Sequence, residues 1–308
     1  MAASIIPPSP MTRGNVAALL ERGIRKVYFN EYMLALKQFE ALYNIDGSVK
    51  RQETDVVFAG LGQFKKKPEG APPELDAGAQ AWTQQYVHNT WALALKITQE
   101  ALEDELYGVF LRMAKELAQA AVYTQELDAM TLLNNLAATV YTAGGTGYTL
   151  LSTTHFRADG GTWSNQLSSG ADLSIESLEA LLTQWTTGML DQRGRKQATM
   201  PEKLVVGASD WAVAERILNS IQRPFTADND INPIRRWNLK AHVMTHLTDD
   251  GRWFLLGPTE QTGLNWFNRR PISMQRETDG IGTGNVLMTG SSRWSAGATH
   301  VTGVMGST

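Results

Sequence analysis

The sequence contains no cysteine among its 308 residues. This absence excludes disulfide bonds, a thiol nucleophile, an iron–sulfur cluster and a thiolate zinc site. An excess of charge of one sign is also missing, because 31 acidic and 28 basic residues give a formal net charge of −3. No net positive field draws the chain onto DNA or an anionic membrane, so a nucleic-acid reader is disfavoured.

Long hydrophobic runs are missing as well. The apolar window Trp91–Ile97 is interrupted by Lys96 and is far shorter than the roughly 20 residues of a membrane-spanning helix. Near the N-terminus, two isoleucines at positions 5 and 6 lead directly into two prolines, and no basic stretch precedes them. This pattern does not predict a signal peptide, and we expect a soluble protein made in the cytoplasm.

What is present indicates a folded chain. Hydrophobic residues make up 43% of the sequence and charged residues 19%, a balance that excludes disorder as the dominant state. The length allows one large or two ordinary domains. No repeat of fixed period is visible, so a solenoid or propeller is not expected.

The N-terminal region is patterned as an arm. Asn15–Tyr43 is compatible with helix, but its apolar residues are only loosely periodic, and Gly14 and Gly23 interrupt it. We therefore expect an arm with short helices that is held in place by something other than its own packing.

A protruding hairpin follows the arm. Thr54–Ala59 and Tyr86–Ile97 predict two strands, and the second alternates apolar and small or polar residues at period two. Residues 60–78 between them are rich in glycine, lysine and proline, which predicts a long polar tip. Because a two-stranded ribbon is marginal alone and exposes its edges, it needs a neighbour, which we expect to be another subunit.

The strongest helical pattern runs from Thr98 to about Leu136. The stretch has no proline and one glycine, Gly108, and its apolar residues recur at helical spacing. At 1.5 Å per residue a helix over Gln99–Leu136 reaches roughly 57 Å, with a bend expected at Gly108.

The second half of the chain predicts an α+β core followed by a small closing sheet. Its expected elements are a turn at Gly144–Gly147, a short hairpin over Tyr148–Arg157, a helix from the N-cap Ser174 to Met189, a strand at Lys203–Gly207, a helix at Trp211–Ser220 capped by Ser209 and Asp210, strands at Ala241–Leu247 and Trp253–Leu256 joined through Asp249-Asp250-Gly251, and short strands from Leu264 onward.

Motifs for catalysis or cofactor binding are weak. His242 and His246 lie four residues apart on an expected strand, and no glutamate follows His242, so metal ligation is not predicted. Gly280–Gly284 lacks the lysine of a phosphate loop. Ser152 and His155 lack the sequence of a nucleophile elbow. The sequence thus predicts no catalytic residue, no cofactor and no metal, and we do not expect an enzyme.

The order of arm, long hairpin, long helix, α+β domain and closing strands resembles the major capsid proteins of tailed phages, which have the Hong Kong 97 fold. The residues of these segments are most similar to those of the Mu-type major head subunits. The resemblance covers about residues 18–303 and is carried by the segments Ile97–Phe110, Leu151–His155 with Gly160-Gly161 and Ser164-Asn165, Pro201–Val206, Glu215–Ser220, Asn229–Pro233 and Trp253–Leu256.

The resemblance implies an α+β capsid fold with its domain order. By position, residues 1–48 are similar to the N-terminal arm and 49–97 to the extended loop that lies over a neighbouring subunit. Residues 98–170 are similar to the peripheral domain with its spine helix, 171–263 to the axial domain, and 264–308 to the strands that return to the peripheral domain.

The function implied is that of a structural major capsid protein, which assembles with itself into hexamers and pentamers of an icosahedral shell around double-stranded DNA. The expected location is the virion, after synthesis in the cytoplasm of a bacterial host. The chain begins almost at the arm, so a separate scaffolding protein and a portal are expected, and a maturation protease or a decoration protein is left open as a further partner. Lys65–Lys67 lie near the loop tip, where one family member forms a covalent crosslink, but no partner group is identifiable and no crosslink is predicted.

Two alternatives are weighed against this function. An encapsulin-like compartment of the same fold would hold a protein cargo instead of DNA. A soluble enzyme or binding module would be a monomer or small oligomer with a pocket.

The residues expected at subunit contacts are aromatic side chains and arginines, which interfaces favour. They are Phe58, Phe64, Trp82 and Trp91 in the loop, Tyr28 and Phe29 in the arm, and Arg235, Arg236 and Trp237 in the axial domain.

Overall fold

The computed structural model describes residues 13–98, 100, 107–224, 230–249, 251–278 and 285–307. Its helices are α1 (Arg13–Leu34), α2 (Tyr107–Asn134), α3 (Ile175–Gly188) and α4 (Trp211–Asn219). Its strands are β1 (Asn44–Gly47), β2 (Gln52–Phe58), β3 (Gln80–Val87), β4 (Asn89–Ile97), β5 (Tyr141–Ala143), β6 (Thr146–Tyr148), β7 (His155–Phe156), β8 (Thr162–Trp163), β9 (Lys203–Gly207), β10 (Lys240–Met244), β11 (Trp253–Leu256), β12 (Leu264–Thr278), β13 (Val286–Ala298) and β14 (Val304–Ser307). Among the described helices, none has the length and apolar character needed to span a bilayer.

The chain divides into two units. The first comprises residues 1–37, 90–125 and 270–293, and the second comprises residues 38–89, 126–269 and 294–308. Each unit has its own hydrophobic cluster. The strands β12 and β13 run from one unit into the other, and they are neighbours in a sheet of order β1-β12-β13-β4.

The core of the first unit corrects the expectation of an arm with short helices. Helix α1 continues for 22 residues, through Gly23. A glycine inside a helix costs only about 1 kcal/mol relative to alanine. Ile24 and Tyr28 of α1 are fully buried against Phe110 and Leu117 of α2, and this burial offsets the cost.

The second unit contains the sheet β10-β9-β11-β14. Strand β9 has the predicted bounds and lies between β10 and β11. Its residues Leu204, Val205 and Val206 are all buried, as expected for a strand covered on both faces. The expected hairpin of β10 and β11 is wrong: β9 lies between them, parallel to β10 and antiparallel to β11. Since β9 and β10 are parallel, the chain needs the crossover that α4 provides.

Helix α3 begins as predicted at the N-cap Ser174. The Ser174 hydroxyl accepts the backbone N–H of Ser177, and the Ser177 hydroxyl accepts the backbone N–H of Ser174, which forms a capping box. Helix α4 follows Asp210, as predicted, but the Asp210 side chain makes no capping hydrogen bond.

A hairpin follows the arm, but its second strand is not the predicted Tyr86–Ile97. Strand β2 pairs with β3, over Gln80–Val87, and the chain then breaks at His88. Strand β4 belongs to the sheet with β13 instead. The alternation of side chains continues from β3 into β4 without glycine or proline, so the sequence contains no signal for the break.

The long helix ends close to the predicted position, at Asn134 instead of about Leu136. Helix α2 covers Tyr107–Asn134, about 42 Å at 1.5 Å per residue. Most of the residues expected before it, 99 and 101–106, lie outside the described part of the chain, and Gly108 is the second residue of the helix.

The hairpin expected over Tyr148–Arg157 is replaced by two smaller ones. Strands β5 and β6 pair around Gly144 and Gly145, whose φ angles of 57° and 81° suit glycine. Strand β7 pairs with β8 across a separate turn.

The closing region is not a set of short strands. Strands β12 and β13 are 15 and 13 residues long, and β14 pairs with β11 in the sheet of the second unit. Gly290 and Gly297 continue β13 rather than ending it. A Cβ atom at Gly290 would lie 2.8 Å from Tyr28 Oη, and one at Gly297 would lie 2.8 Å from Tyr86 Cε1, so glycine is required there by close packing. The motif Gly280–Gly284 lies outside the described residues.

Candidate interaction surface

The root of the β2–β3 hairpin is fixed by a buried hydrogen-bond network around Thr299. The Thr299 hydroxyl donates to Asp55 Oδ2 at 2.6 Å and accepts from Tyr86 Oη at 2.7 Å and from Asn265 Nδ2 at 3.0 Å. Trp82 Nε1 donates to the Thr299 carbonyl oxygen at 3.0 Å. Burial raises the pKa of Tyr86 to about 12, so its hydroxyl keeps the proton that it donates.

The same face of β3 continues these contacts at every second residue. Gln84 Nε2 donates to the carbonyl oxygen of Val140 at 3.2 Å. His88, directly after the strand, has Nδ1 at 2.9 Å from Ser295 Oγ and Nε2 at 3.0 Å from Ser48 Oγ. One face of β3 is therefore anchored along its whole length, and the root of the hairpin is rigid.

The tip of the hairpin has no comparable support. Residues 59–79 contain neither helix nor strand. All residues from 60 to 80 are exposed except the half-exposed Gly62 and Ala71. Leu61, Phe64 and Leu75 are among the exposed side chains, and Phe64 has 108% of its reference area accessible. These large apolar groups have no packing partner that removes them from water.

Asp76 organises the returning part of the tip. Its Oδ2 accepts the backbone N–H of Gly62 at 2.5 Å, and its Oδ1 lies 3.4 Å from Nη1 of Arg193. Arg193 Nη2 also donates to the carbonyl oxygen of Ala77 at 2.8 Å. The hydrogen bond from Gly62, and then the charge of Arg193, lower the pKa of Asp76. These contacts tie the chain near the base of the tip but leave Phe64 free of them.

Phe58 ends strand β2 at the rim of a cleft of about 580 Å³. Its side chain is 72% exposed. Arg195, Thr199 and His300 are among the mainly polar residues that line the cleft. Phe58 and Phe64, both predicted at contacts, are thus available to another chain.

The two aromatic residues expected in the arm differ in exposure. Tyr28 is fully buried, and Phe29 is half-buried and contacts it edge-on at 5.4 Å between ring centroids. The Tyr28 side chain therefore packs inside its own unit. The exposed apolar residues of this region are instead Met33, Leu34 and Leu36, at and after the end of α1.

The remaining predicted contact residues also divide by exposure. Trp82 is buried and stacks on Tyr141 at 5.1 Å, so its role is to anchor the hairpin root. Trp91 of β4 is 36% exposed. The last three predicted residues lie in the short 3₁₀ helix Pro233–Trp237, which Asn232 caps. Arg235 and Arg236 are exposed, and Trp237 is half-buried against the core.

Ser152 and His155 are both hydrogen-bonded to Asn165. Asn165 Nδ2 donates to two backbone carbonyls, so its Oδ1 faces His155 Nε2 at 2.8 Å and also accepts the Ser152 backbone N–H. His155 Nδ1 then accepts from Tyr141 Oη at 3.0 Å. Burial lowers the pKa of His155 to about 4. The imidazole is a neutral structural group with both nitrogens occupied.

His242 lies on β10 and His246 lies beyond its end. Within the described part of the chain, no three histidine, aspartate or glutamate side chains come together as a metal site.

The anchoring residues Thr299, Asn265 and His88 were not predicted from the sequence. Their partners are far away along the chain, so no local spacing marks them. The one available signal is the period-two series of large polar and aromatic residues at Trp82, Gln84, Tyr86 and His88, which predicts one inward face of a strand.

Residues 82–304 match the family model described as phage capsid protein. The chain belongs to the phage capsid protein family. The match begins at Trp82 in the anchored strand β3 and ends at Val304, the first residue of β14. This capsid chain is a structural protein of the virion, and the expected relation to tailed-phage capsid proteins is confirmed. The closer relation to Mu-type head subunits stays a prediction.

Solved structures show the same fold at low sequence identity. The capsid of a native GTA particle has a TM-score of 0.58 at 12% identity, covering 89% of this chain and 90% of that chain. A structure from Mycobacterium phage Adephagia has a TM-score of 0.56 at 13% identity, covering 97% and 98%. A virus-like particle from Pyrococcus furiosus has a TM-score of 0.55 at 10% identity, covering 93% and 98%. The predicted α+β capsid fold is confirmed. A search of curated protein sequences finds no match.

Proposed function

We propose that this capsid protein assembles with copies of itself into an icosahedral shell around double-stranded DNA. The observation that carries the proposal is the contrast within the hairpin: a root held by buried hydrogen bonds presents a tip whose apolar side chains are uncovered. A fixed root and a tip with exposed apolar side chains are suited to a contact with another subunit. Such a contact would remove Phe58 and Phe64 from water.

The work of the protein in this proposal is burial of surface rather than catalysis. Permanent assemblies bury several thousand Å² of largely apolar surface, and each phenylalanine contributes roughly 1.5–3 kcal/mol when buried. Each copy has several neighbours, so individually modest contacts add up to a stable shell.

The domain order of arm (1–48), extended loop (49–97), peripheral domain (98–170 and 264–308) and axial domain (171–263) belongs to the proposal. So do the contact residues Phe29, Phe58, Phe64, Trp91, Arg235, Arg236 and Trp237. Tyr28 and Trp82 are left out of this set, since both side chains are buried in their own chain. A separate scaffolding protein and a portal remain the expected partners.

Removal of the tip tests the proposal. A variant with residues 62–78 replaced by a short glycine–serine linker lacks no core side chain and should remain soluble, with the same thermal transition as the unaltered chain. We expect size-exclusion chromatography and negative-stain microscopy to show closed particles for the unaltered chain and none for the variant. Normal particles from the variant would refute the proposed contact.

A matched pair of point variants refines the test. Phe64→Ser removes an exposed aromatic ring, whereas Gln63→Ser removes an exposed polar side chain from the neighbouring position. If Phe64 is buried at a contact, its loss should reduce particle yield at least tenfold, since about 1.4 kcal/mol corresponds to a factor of ten. Gln63→Ser should leave the yield unchanged. Equal yields for both variants would remove Phe64 from the contact.

The content of the particles separates DNA packaging from a protein compartment. Nuclease-protected double-stranded DNA is expected in particles from the complete assembly system. The family match does not favour the compartment, which would hold a protein cargo and no protected DNA.

A further inference from the structure

One edge of the sheet in the second unit carries an unusual group of basic side chains. Lys240 of β10 is paired directly with Lys203 of β9 in a parallel register, and His242 is two residues further along β10. Paired residues, and residues two apart on a strand, project from the same face of a sheet. Lys203, Lys240 and His242 therefore share one face at the edge strand. Like charges directly opposite each other normally destabilise a sheet.

Lys203 is fixed, whereas the other two groups are not. Lys203 Nζ donates to the carbonyl oxygen of Ala41 at 2.7 Å and to Thr259 Oγ1 at 2.5 Å. Lys240 is exposed and His242 is half-buried, and within the described residues neither side chain has a hydrogen bond or an ion pair. The face thus combines one held ammonium group with two groups that are free to bind.

The acids near this face form no ion pair with it among the described residues. Glu202 precedes Lys203 and attracts it. The two acceptors of Lys203 lie in the 3₁₀ segments Gln38–Ala41 and Thr259–Gln261, which also contain the exposed Glu40 and Glu260. None of these three carboxylates forms an ion pair with the basic group in the described structure. Burial, followed by the charges of Lys203 and Lys240, lowers the pKa of His242. In the described part of the chain, the Lys240 and His242 side chains thus have no ion-pair partner that an anion would have to displace.

We propose that Lys203, Lys240 and His242 form a phosphate-binding site at the edge of the β10-β9-β11-β14 sheet. A phosphate has enough oxygen acceptors for two ammonium groups and an imidazole N–H, and charge-assisted hydrogen bonds of this kind are among the strong ones. In a filled particle the phosphate is a backbone group of the enclosed DNA; this source rests on the proposed function. One such site on each copy contacts DNA without reading its sequence.

A purely structural role could explain Lys240, but not the other two residues. Lysine on an edge strand prevents unwanted strand pairing, and that role needs no ligand. It leaves unexplained why a second lysine stands opposite and why a half-buried histidine on the same face has no partner. The two explanations differ in what His242 does when phosphate is added.

The first experiment follows the ring signals of His242 by NMR in the soluble full-length chain, with inorganic phosphate as probe and chloride at matched ionic strength as control. Phosphate should raise the pKa of His242 by about half a unit or more, because a bound anion favours the imidazolium. The variant Lys240→Gln should lose most of this response, while Lys196→Gln, an exposed lysine elsewhere, should keep it. An unchanged pKa in phosphate, or an undiminished response in Lys240→Gln, would overturn the site.

The second experiment distinguishes the sources of the anion. Binding of a short DNA duplex is measured over a range of salt concentrations, and poly-glutamate is the competing probe. For Lys240→Gln the slope of log K against log salt should fall by about 0.9, the value for one lost phosphate contact, while Lys196→Gln should match the unaltered chain. A His242 response to poly-glutamate but not to the duplex would assign the face to an acidic polypeptide and refute phosphate. Neither experiment requires particles, so failure of assembly and failure of this site give separate results.

Discussion

At the scale of single residues, His155 links the stability of the capsid chain to pH. The folded state holds its imidazole neutral between Tyr141 and Asn165, and burial lowers its pKa to about 4. In the unfolded chain the pKa is near 6.5. Below pH 6.5 the unfolded state therefore binds a proton that the folded state does not, and folding becomes less favourable as the pH falls towards 4.

This linkage gives a measurable prediction. Between pH 6.5 and 4.5 the unaltered chain should lose about 2 kcal/mol more of its free energy of unfolding than the non-titrating variant His155→Gln. Urea titrations at both pH values supply the four free energies. The comparison isolates His155 because the other histidines are present in both proteins. An equal loss in both proteins would show that His155 is not held neutral.

At the scale of secondary structure elements, helix α1 packs closely against strand β13 at Gly290. A Cβ atom on Gly290 would lie only 2.8 Å from Tyr28 Oη, and this buried hydroxyl has no hydrogen-bond partner in the described structure. The close contact between α1 and β13 thus depends on the absence of a side chain at Gly290. It does not depend on the polarity of the tyrosine.

Two substitutions test this contact. Gly290→Ala should destabilise the first unit by about 1–3 kcal/mol, the usual cost of overpacking. In a Tyr28→Phe background the same change should cost clearly less, because the phenolic oxygen is the nearest atom to the added methyl group. Thermal or urea unfolding of the four proteins gives the coupling energy. A cost of Gly290→Ala that is identical in both backgrounds would contradict the packing described.

Elements were predictable where a single local signal decided them. Strand β9 and strand β11 have the predicted bounds, because an uninterrupted run of large apolar residues needs burial on both faces wherever it lies. Partners along the sheet were not predictable: Asp249-Asp250-Gly251 looks like a hairpin turn, yet β10 and β11 are separated by β9. The break at His88 was not predictable either, since the hydrogen-bond partners of His88, Ser48 and Ser295, are distant along the chain.

At the scale of the whole molecule, the sequence pattern supports a capsid protein that needs its neighbours. The exposed tip could be predicted from the glycine, lysine and proline residues at 60–78. The exposure of particular aromatic residues could not be predicted, because Phe64 and Trp82 are both aromatic, yet Phe64 is exposed and Trp82 is buried. Trp82 is buried by Thr299 and Tyr141, which lie more than fifty residues away along the chain.

Hydrogen exchange of residues 60–80 in the unassembled and the assembled chain measures the central claim most directly. We expect these amides to exchange rapidly in the isolated chain, where they lie outside helix and strand. In particles they should be strongly protected, because neighbouring copies cover them, while strand β3 is protected in both forms. Slow exchange of residues 60–80 in the isolated chain, or equal exchange in both forms, would contradict the account.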